Sequence, residues 1–231
     1  MTNLKFGIIV ADNDEFKPLE DYILKAEHNK LTLFGRTAYS FQYENKEVLA
    51  VCCGIGKVNA AIATASLIEN GCNAILNYGL SGGLSGVKRG ELVVPKSFLE
   101  HDFDLTGIGY APCEKPSQEY VYNADNGLLD CLCSIIGDCN NGLAVTGDHF
   151  VCSKEESEFL KANFKAVSCD METAAIAYAS NASNVPFAAL RRISDDADDC
   201  AVDNYREMNV TSTSMPYEII LKVIKNFNLG D

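Results

Sequence analysis

The chain has 231 residues, 47% of them hydrophobic and 22% charged, which is enough apolar sequence for one sizeable core, so we expect a single domain spanning residues 1–231. Its formal net charge of -13 argues against a nucleic-acid partner because phosphate backbones attract basic surfaces. No secretory signal and no stretch long enough to span a membrane is evident, so we expect a cytoplasmic protein without membrane attachment.

Short apolar runs alternate with helical patterns along the whole chain. Strands are predicted at residues 6–11, 46–53, 74–78, 91–95, 142–145, 166–170 and 187–193. Helices are predicted at residues 15–25, 57–70, 126–136, 153–163 and 172–180, and after Pro216, where Ile220, Val223, Ile224 and Phe227 follow helical spacing. This alternation indicates an α/β fold with a mainly parallel sheet.

The ten cysteines are scattered through these predicted elements, so we expect them to be mostly reduced and buried. Cys131, Cys133 and Cys139 form the closest group, but their spacing matches no paired zinc motif and no histidine is near. We therefore predict no metal site.

Two predicted strands end abruptly in charged residues. The strand at 187–193 ends near Arg191 and Asp195, and the strand at 166–170 leads into Asp170 and Glu172. Catalytic groups in open α/β sheets lie at such strand ends, although acids at a helix start commonly serve only as caps. Both interpretations remain open for Asp170 and Glu172.

Glycine-bearing turns follow two other strands, at residues 54–56 and 79–83. Glycine permits close approach of a ligand to the backbone, and it is also the usual residue of any tight turn. Neither segment has the spacing of a dinucleotide fingerprint or a P-loop.

Taken in order, these pieces resemble a known family. The motifs lie at residues 6–11 with Glu15, at 54–61, 77–84, 101–104, 146–151, 170–175 and 191–195. Together they resemble the methylthioadenosine/S-adenosylhomocysteine nucleosidases of the purine nucleoside phosphorylase superfamily. The resemblance covers nearly the whole chain, and it implies a three-layer α/β/α fold with a mixed central sheet, a homodimer and a purine nucleoside as substrate, with no cofactor.

The resemblance also implies a hydrolysis of the glycosidic bond and a role for each catalytic residue. Asp195 corresponds to the general acid that protonates purine N7, with a pKa raised by burial and neighbouring acids. Glu172 corresponds to the anion that binds the ribose hydroxyls, Arg191 holds Glu172 and the attacking water, and Glu15 corresponds to the general base.

The remaining pocket residues are implied in the same way. Phe150 stacks on the purine, Val151 binds it through the backbone, Met171 packs on the ribose, and Tyr205 corresponds to an aromatic lid. The other expected substrate-binding residues are Ser194, Ile55, Leu80, Ser81 and Gly82, and a partner subunit is expected to close the pocket with Leu105, Ile108 and Tyr110. Large apolar residues such as Phe150 and Met171 also fit an ordinary core.

The chain departs from the family pattern at Leu80, Asp12 and Asp170, where the nucleosidases commonly carry a small hydroxyl, a methionine and a glutamate. These changes alter the cavity wall, so we expect a substrate preference different from that of a methylthioadenosine specialist. Acids at positions 12–15 with no arginine favour water over phosphate as nucleophile. A phosphorylase and a non-catalytic nucleoside-binding protein are the alternatives.

Overall fold

The computed structural model describes residues 4–137, 140–210 and 216–228. The strands are β1 (Lys5–Val10), β2 (His28–Leu33), β3 (Arg36–Tyr43), β4 (Lys46–Cys52), β5 (Ala74–Gly83), β6 (Leu92–Val93), β7 (Ser97–Glu100), β8 (Val121–Asn123), β9 (Leu143–Thr146), β10 (Ala166–Asp170) and β11 (Phe187–Asp195). The helices are α1 (Asn13–Ile23), α2 (Lys57–Glu69), α3 (Asn126–Ile136), α4 (Lys154–Phe164), α5 (Thr173–Ala182), α6 (Ala201–Val210) and α7 (Tyr217–Asn226), with a short 3₁₀ turn at Thr106–Ile108.

The strands form one mixed sheet in which β5 is the branch point. Along the main path the order is β2-β3-β4-β1-β5-β10-β9-β7-β8, and β11 joins β5 from the side. β5 runs parallel to β1 and to β11 and antiparallel to β10. The carboxyl ends of β1, β5 and β11 therefore lie at one edge of the sheet, where ligands bind in open α/β folds.

Alternating side chains of the central strands pack against helices on both faces. Phe6, Ile8 and Val10 of β1 belong to one cluster, which contains buried residues of α1, α3 and α7. Ile9 belongs to a second cluster, which contains buried alanines of α2 and α5. Because successive strand side chains point to opposite faces, this division gives the three layers that the sequence predicts.

Several boundaries differ from the sequence-based prediction. The hairpin of β2 and β3, the short strands β7 and β8, and helix α6 were not predicted, and the strand expected at 91–95 is reduced to Leu92–Val93. The largest correction concerns residues 79–83, which were predicted as a turn but continue β5, where residues 79–82 pair with β11 and residues 82–83 pair with β10. The second partner strand satisfies the backbone of a segment whose glycines would otherwise favour a turn.

The cysteines follow the expectation only in part. Cys53, Cys72, Cys113 and Cys169 are free and buried, whereas Cys152 and Cys200 are free and exposed. Cys133 is disulfide-bonded, which contradicts the expectation for that residue; Cys139 lies outside the described residues. In the part of the chain that the structure describes, no helix has the length and apolarity needed to cross a membrane.

Candidate active site

A cavity of about 320 Å³ opens at the carboxyl ends of β1, β5, β10 and β11. It is lined by every residue predicted to be catalytic or to bind substrate within the subunit, namely Glu15, Ile55, Leu80, Ser81, Gly82, Phe150, Val151, Met171, Glu172, Arg191, Ser194, Asp195 and Tyr205. The fold thus brings together residues that are up to 190 positions apart in the sequence, from Glu15 to Tyr205.

Glu15 enters the cavity from the first turn of α1. Asp12 caps this helix by accepting a hydrogen bond from the Asp14 backbone N–H at 2.8 Å, and Glu15 is thereby turned toward β5. The Leu80 backbone N–H donates to Glu15 Oε1 at 3.1 Å. Burial raises the pKa of Glu15 to about 8, although the nearby Arg191 charge opposes the shift. Glu15 is therefore predominantly the neutral acid below about pH 8, and its carboxylate form gains population as the pH rises through that value.

Glycine at position 79 makes this arrangement possible. A Cβ atom there would lie 2.6 Å from Glu15 Oε2 and 2.9 Å from the Arg191 guanidinium, which is closer than non-bonded atoms approach. A side chain at this position would push the acid and the arginine apart.

Arg191 is held chiefly by β5, which runs alongside its own strand β11. Its Nε donates to Ser81 Oγ at 2.8 Å, its Nη1 donates to Asn77 Oδ1 at 2.9 Å, and its Nη2 donates to the Leu80 carbonyl. The carboxylate of Glu172 is 4.0 Å from Nη2. Arg191 thus lies between the strand and the acids rather than forming the close pair with Glu172 that was expected.

The two acids at the end of β10 have different surroundings. Asp170 Oδ1 accepts hydrogen bonds from the backbone N–H groups of Glu172 and Thr173 at 3.0 and 2.9 Å and from Thr146 Oγ1 at 2.8 Å. Asp170 thus satisfies N–H groups at the start of α5, where Glu172 occupies the N-cap position but makes no capping hydrogen bond with its side chain. Glu172 Oε1 instead accepts from the Gly56 backbone N–H at 2.9 Å, across the cavity wall. Burial raises the pKa of Glu172 to about 7, with Arg191 opposing and Asp170 adding to the shift.

Asp195 ends β11 in an environment without a paired cation among the described residues. Ser194 Oγ donates to its Oδ2 at 2.5 Å, and the Ala197 backbone N–H donates to its Oδ1 at 2.9 Å. The side chain is almost fully buried. Burial raises the pKa of Asp195, and the charges of Asp196 and Asp198 add to that shift, whereas the two hydrogen bonds oppose it.

A network of charges joins the loops around the cavity. Gly56 has a φ of +101°, a conformation that favours glycine, and its N–H reaches Glu172. The next N–H, of Lys57, donates to Asp148 Oδ1 at 2.7 Å, and Lys57 Nζ lies 2.6 Å from Asp102 Oδ1. Asp102 Oδ2 accepts from the Asp148 N–H at 2.9 Å. The start of α2 is therefore fixed to the loop that continues into Phe150.

The apolar wall of the cavity is made by aromatic and aliphatic side chains. The Phe150 and Tyr205 rings meet edge to face with centroids 5.5 Å apart, and Phe150 remains 39% exposed. Tyr205 comes from α6, the helix that was not predicted. A partly exposed aromatic beside a cavity offers a face on which a planar ring can stack.

The loop expected to serve a partner subunit lies elsewhere. Leu105, Ile108 and Tyr110 surround the 3₁₀ turn and are not among the residues that line the cavity. Ile108 is 73% exposed and Tyr110 is 37% exposed. Their predicted contribution to a neighbouring subunit stays a prediction.

Asp12 and Asp170 line the cavity, as their expected effect on its wall implies. Ala11, His149 and Cys169 also line it but were not predicted. They adjoin Asp12, Phe150 and Asp170 respectively, so position next to a motif residue was the available signal. Among the described lining residues Arg191 is the only arginine or lysine, and the cavity is strongly acidic.

The comparisons with known proteins agree with this geometry. The model of the Phosphorylase superfamily matches residues 5–225. A 5'-methylthioadenosine/S-adenosylhomocysteine nucleosidase of Shewanella denitrificans is 35% identical over 209 residues, which cover 87% of this chain and 90% of that protein.

Two solved structures from Helicobacter pylori are also similar. A 5'-methylthioadenosine/S-adenosylhomocysteine nucleosidase with butyl-thio-DADMe-Immucillin-A has a TM-score of 0.93 and 27% identity, covering 98% of this chain and 100% of that one. A futalosine hydrolase has a TM-score of 0.92 and 26% identity, covering 97% and 99% of the two chains. The chain described here belongs to the phosphorylase superfamily and, within it, to the 5'-methylthioadenosine/S-adenosylhomocysteine nucleosidases.

Proposed function

We propose that the protein hydrolyses the N-glycosidic bond of a 5'-substituted adenosine, such as methylthioadenosine or S-adenosylhomocysteine, and releases adenine and the free sugar. The observation that carries this proposal is the presence in one cavity of a buried acid without a paired cation, Asp195, and of two further buried acids beside Arg191. Glycosidic cleavage needs proton donation at the purine and negative charge near the sugar.

Asp195 is the proposed general acid. The departing purine would carry negative charge, and protonation at N7 by Asp195 neutralises it as the C1'–N9 bond breaks. The raised pKa of Asp195 favours the protonated form that can donate. Phe150 is proposed to stack on the purine ring, and the Val151 backbone to bind its edge.

Glu172 and Glu15 are proposed to act on the sugar and on water. As the ribose becomes oxocarbenium-like, the Glu172 carboxylate binds its hydroxyls and stabilises the developing positive charge. Glu15 removes a proton from the water that attacks C1'. Arg191 lowers the pKa of both acids and so maintains a population of the charged forms.

Water is favoured over phosphate by the charges of the cavity. The three N–H-bearing groups of Arg191 donate to Ser81, Asn77 and the Leu80 carbonyl. A phosphate would meet Asp12, Glu15 and Glu172 with no uncommitted cation among the described lining residues. This argues against the phosphorylase alternative.

The wall of the cavity bears on the 5' substituent of the substrate. Leu80 and Asp12 both line the cavity, so the wall differs from the small hydroxyl and methionine expected of the family. The similarity to a futalosine hydrolase makes futalosine a second candidate substrate. We also propose a cytoplasmic homodimer in which Leu105, Ile108 and Tyr110 of one subunit complete the pocket of the other.

A product assay tests the proposal. The purified protein is incubated with methylthioadenosine, S-adenosylhomocysteine, futalosine, adenosine and inosine, with and without phosphate. We expect purine release that is indifferent to phosphate, with the free sugar as product. A sugar 1-phosphate formed at a rate that saturates with phosphate would assign the chain to the phosphorylases, and binding without turnover would assign it to the nucleoside-binding proteins.

A further inference from the structure

Three potential metal ligands converge beside the cavity from separate elements. His101 follows β7, His149 lies in the loop after β9, and Glu156 is in the first turn of α4. β7 and β9 are parallel neighbours, and the His101 N–H donates to the Thr146 carbonyl at 2.9 Å. One ligand atom from each of the three side chains lies within 4.8 Å of the other two.

The His101 side chain has a buried nitrogen atom without a hydrogen-bond partner in the part of the chain that the structure describes. Its Nε2 atom is shielded from solvent and has no hydrogen-bond partner among the described residues, although buried polar atoms are nearly always satisfied. The ring packs against the backbone of Gly147, where a Cβ atom would be 2.5 Å from Nε2. The fold therefore reserves space for an imidazole at this place without supplying a protein partner for its nitrogen.

The other two members are already directed toward each other. The His149 and His101 rings meet edge to face with centroids 5.1 Å apart, and His149 Nε2 contacts Glu156 Oε1. Ser153 and Glu156 have the spacing of a capping box, and Ser153 Oγ accepts from the Glu156 N–H at 3.2 Å. The Glu156 carboxylate is nevertheless directed at His149.

We propose that His101, His149 and Glu156 bind a divalent transition-metal ion of the Zn²⁺ class. Two imidazoles and one carboxylate form a donor set that Zn²⁺ uses when a fourth position stays open. His149 also lines the cavity, so the proposed ion would lie beside it.

Metal binding requires a modest rearrangement of the three side chains. Metal–ligand bonds of about 2.0–2.2 Å in a tetrahedral site separate ligand atoms by roughly 3.4 Å, so His149 and Glu156, which are in direct contact, must move apart to admit the ion. His149 and Glu156 are partly exposed, at 45% and 31% of their side-chain surface, and have room to move.

The electrostatic surroundings favour a cation. Asp102, Glu156 and Asp170 all place negative charge near His101. A bound ion would link the end of β7, the start of α4 and the loop that leads into Phe150. It would thereby fix the position of Phe150, the residue proposed to stack on the purine.

Cobalt titration of the full chain tests the site. The background is a Cys152→Ser, Cys200→Ser variant, because these exposed thiols also bind soft metals. We expect one equivalent of Co²⁺ to produce visible d–d bands without thiolate charge-transfer absorption, and Zn²⁺ to displace it. Thiolate absorption, or no saturable binding, would overturn the proposal.

Matched variants locate the ligands. Glu156→Gln and His149→Asn should each weaken Co²⁺ affinity at least tenfold, since loss of even an outer-shell partner costs about 10–100-fold. Glu155→Gln, which changes an exposed acid one residue away in the same helical turn, should leave affinity unchanged. His101→Asn should abolish the bands while circular dichroism shows an intact fold. Equal affinity in Glu156→Gln and Glu155→Gln would show that Glu156 is an ordinary ion-pair partner of His149.

Discussion

The two acidic parts of the cavity differ in how their charges are compensated. Glu15 and Glu172 share one arginine and accept backbone N–H bonds from Leu80 and Gly56, whereas Asp195 has a hydroxyl and one N–H as partners. In the first arrangement Arg191 opposes the effect of burial without cancelling it, so the pKa is raised to about 8 for Glu15 and about 7 for Glu172. In the second, burial also raises the pKa of Asp195, and two hydrogen bonds oppose the shift where no cation among the described residues does. The difference teaches that a shared cation and local hydrogen bonds are two separate ways of retaining some charge on a buried carboxyl group.

Removing the proposed base, Glu15, should lower kcat more than any other substitution among these acids. Glu15→Ala leaves water without a proton acceptor, so we expect kcat for purine release to fall by about 10⁴, the upper range of general acid–base catalysis. Asp14→Asn changes the exposed neighbouring acid and should have activity near wild type. If Glu15→Ala retained more than a tenth of wild-type kcat, Glu15 would not be the base.

Removing the proposed proton donor, Asp195, should cause the second largest fall in kcat. Asp195→Asn preserves the shape and can still accept from Ser194 but cannot donate an acidic proton to N7. We expect kcat to fall by about 10³ while affinity for adenine survives. The measurement is steady-state kinetics together with adenine binding by calorimetry. Near-normal turnover would remove Asp195 from the mechanism.

A smaller loss is expected when the charge beside the sugar is removed. Glu172→Gln keeps a hydrogen-bond acceptor for Gly56, so kcat should fall by about 10² with little change in KM. Glu172 also raises the pKa of Glu15, so the acid limb of the kcat/KM profile should move to lower pH in the variant. A rise in KM alone would make Glu172 only a binding residue.

The same substitution should stabilise the fold in a pH-dependent way. The pKa of Glu172 is raised from 4.5 to about 7, so between these values the folded chain binds more protons than the unfolded chain, and its stability falls as pH rises. Glu172→Gln removes this loss. Its Tm should match wild type near pH 4.5 and exceed it by a few degrees at pH 8, since about 1 kcal/mol corresponds to about 2–4 °C. A pH-independent difference in calorimetry would contradict the assignment.

The sequence predicted the cavity better than it predicted the sheet. The strong local patterns of buried strands placed Arg191, Asp195 and Glu172 at or just after strand ends, and the family resemblance added Glu15. Segments with mixed exposure were missed, as in β2, where polar residues alternate irregularly with half-buried ones. The division of roles between Asp170 and Glu172 depends on Thr146 and Gly56, which are distant in the sequence. The convergence of His101 with His149 was equally hidden because it depends on strand pairing.

The smallest effect should come from the wall beside the proposed sugar site. Leu80 contacts Glu15 and Arg191 through its backbone, so Leu80→Ser leaves these hydrogen bonds available and changes the space and polarity of the cavity. Because the buried Leu80 side chain also belongs to an apolar cluster, we expect a lower Tm as well. We expect the kcat/KM ratio between methylthioadenosine and adenosines with other 5' groups to shift several-fold toward methylthioadenosine, since one or two methylene groups are worth about 10-fold or more in a fitted pocket. Leu80→Ala separates volume from the hydroxyl, and Asp12→Asn keeps the cap of α1 while removing its charge. An identical substrate preference in all three variants would show that neither side chain contacts the 5' substituent, and the substrate would then be selected elsewhere in the cavity.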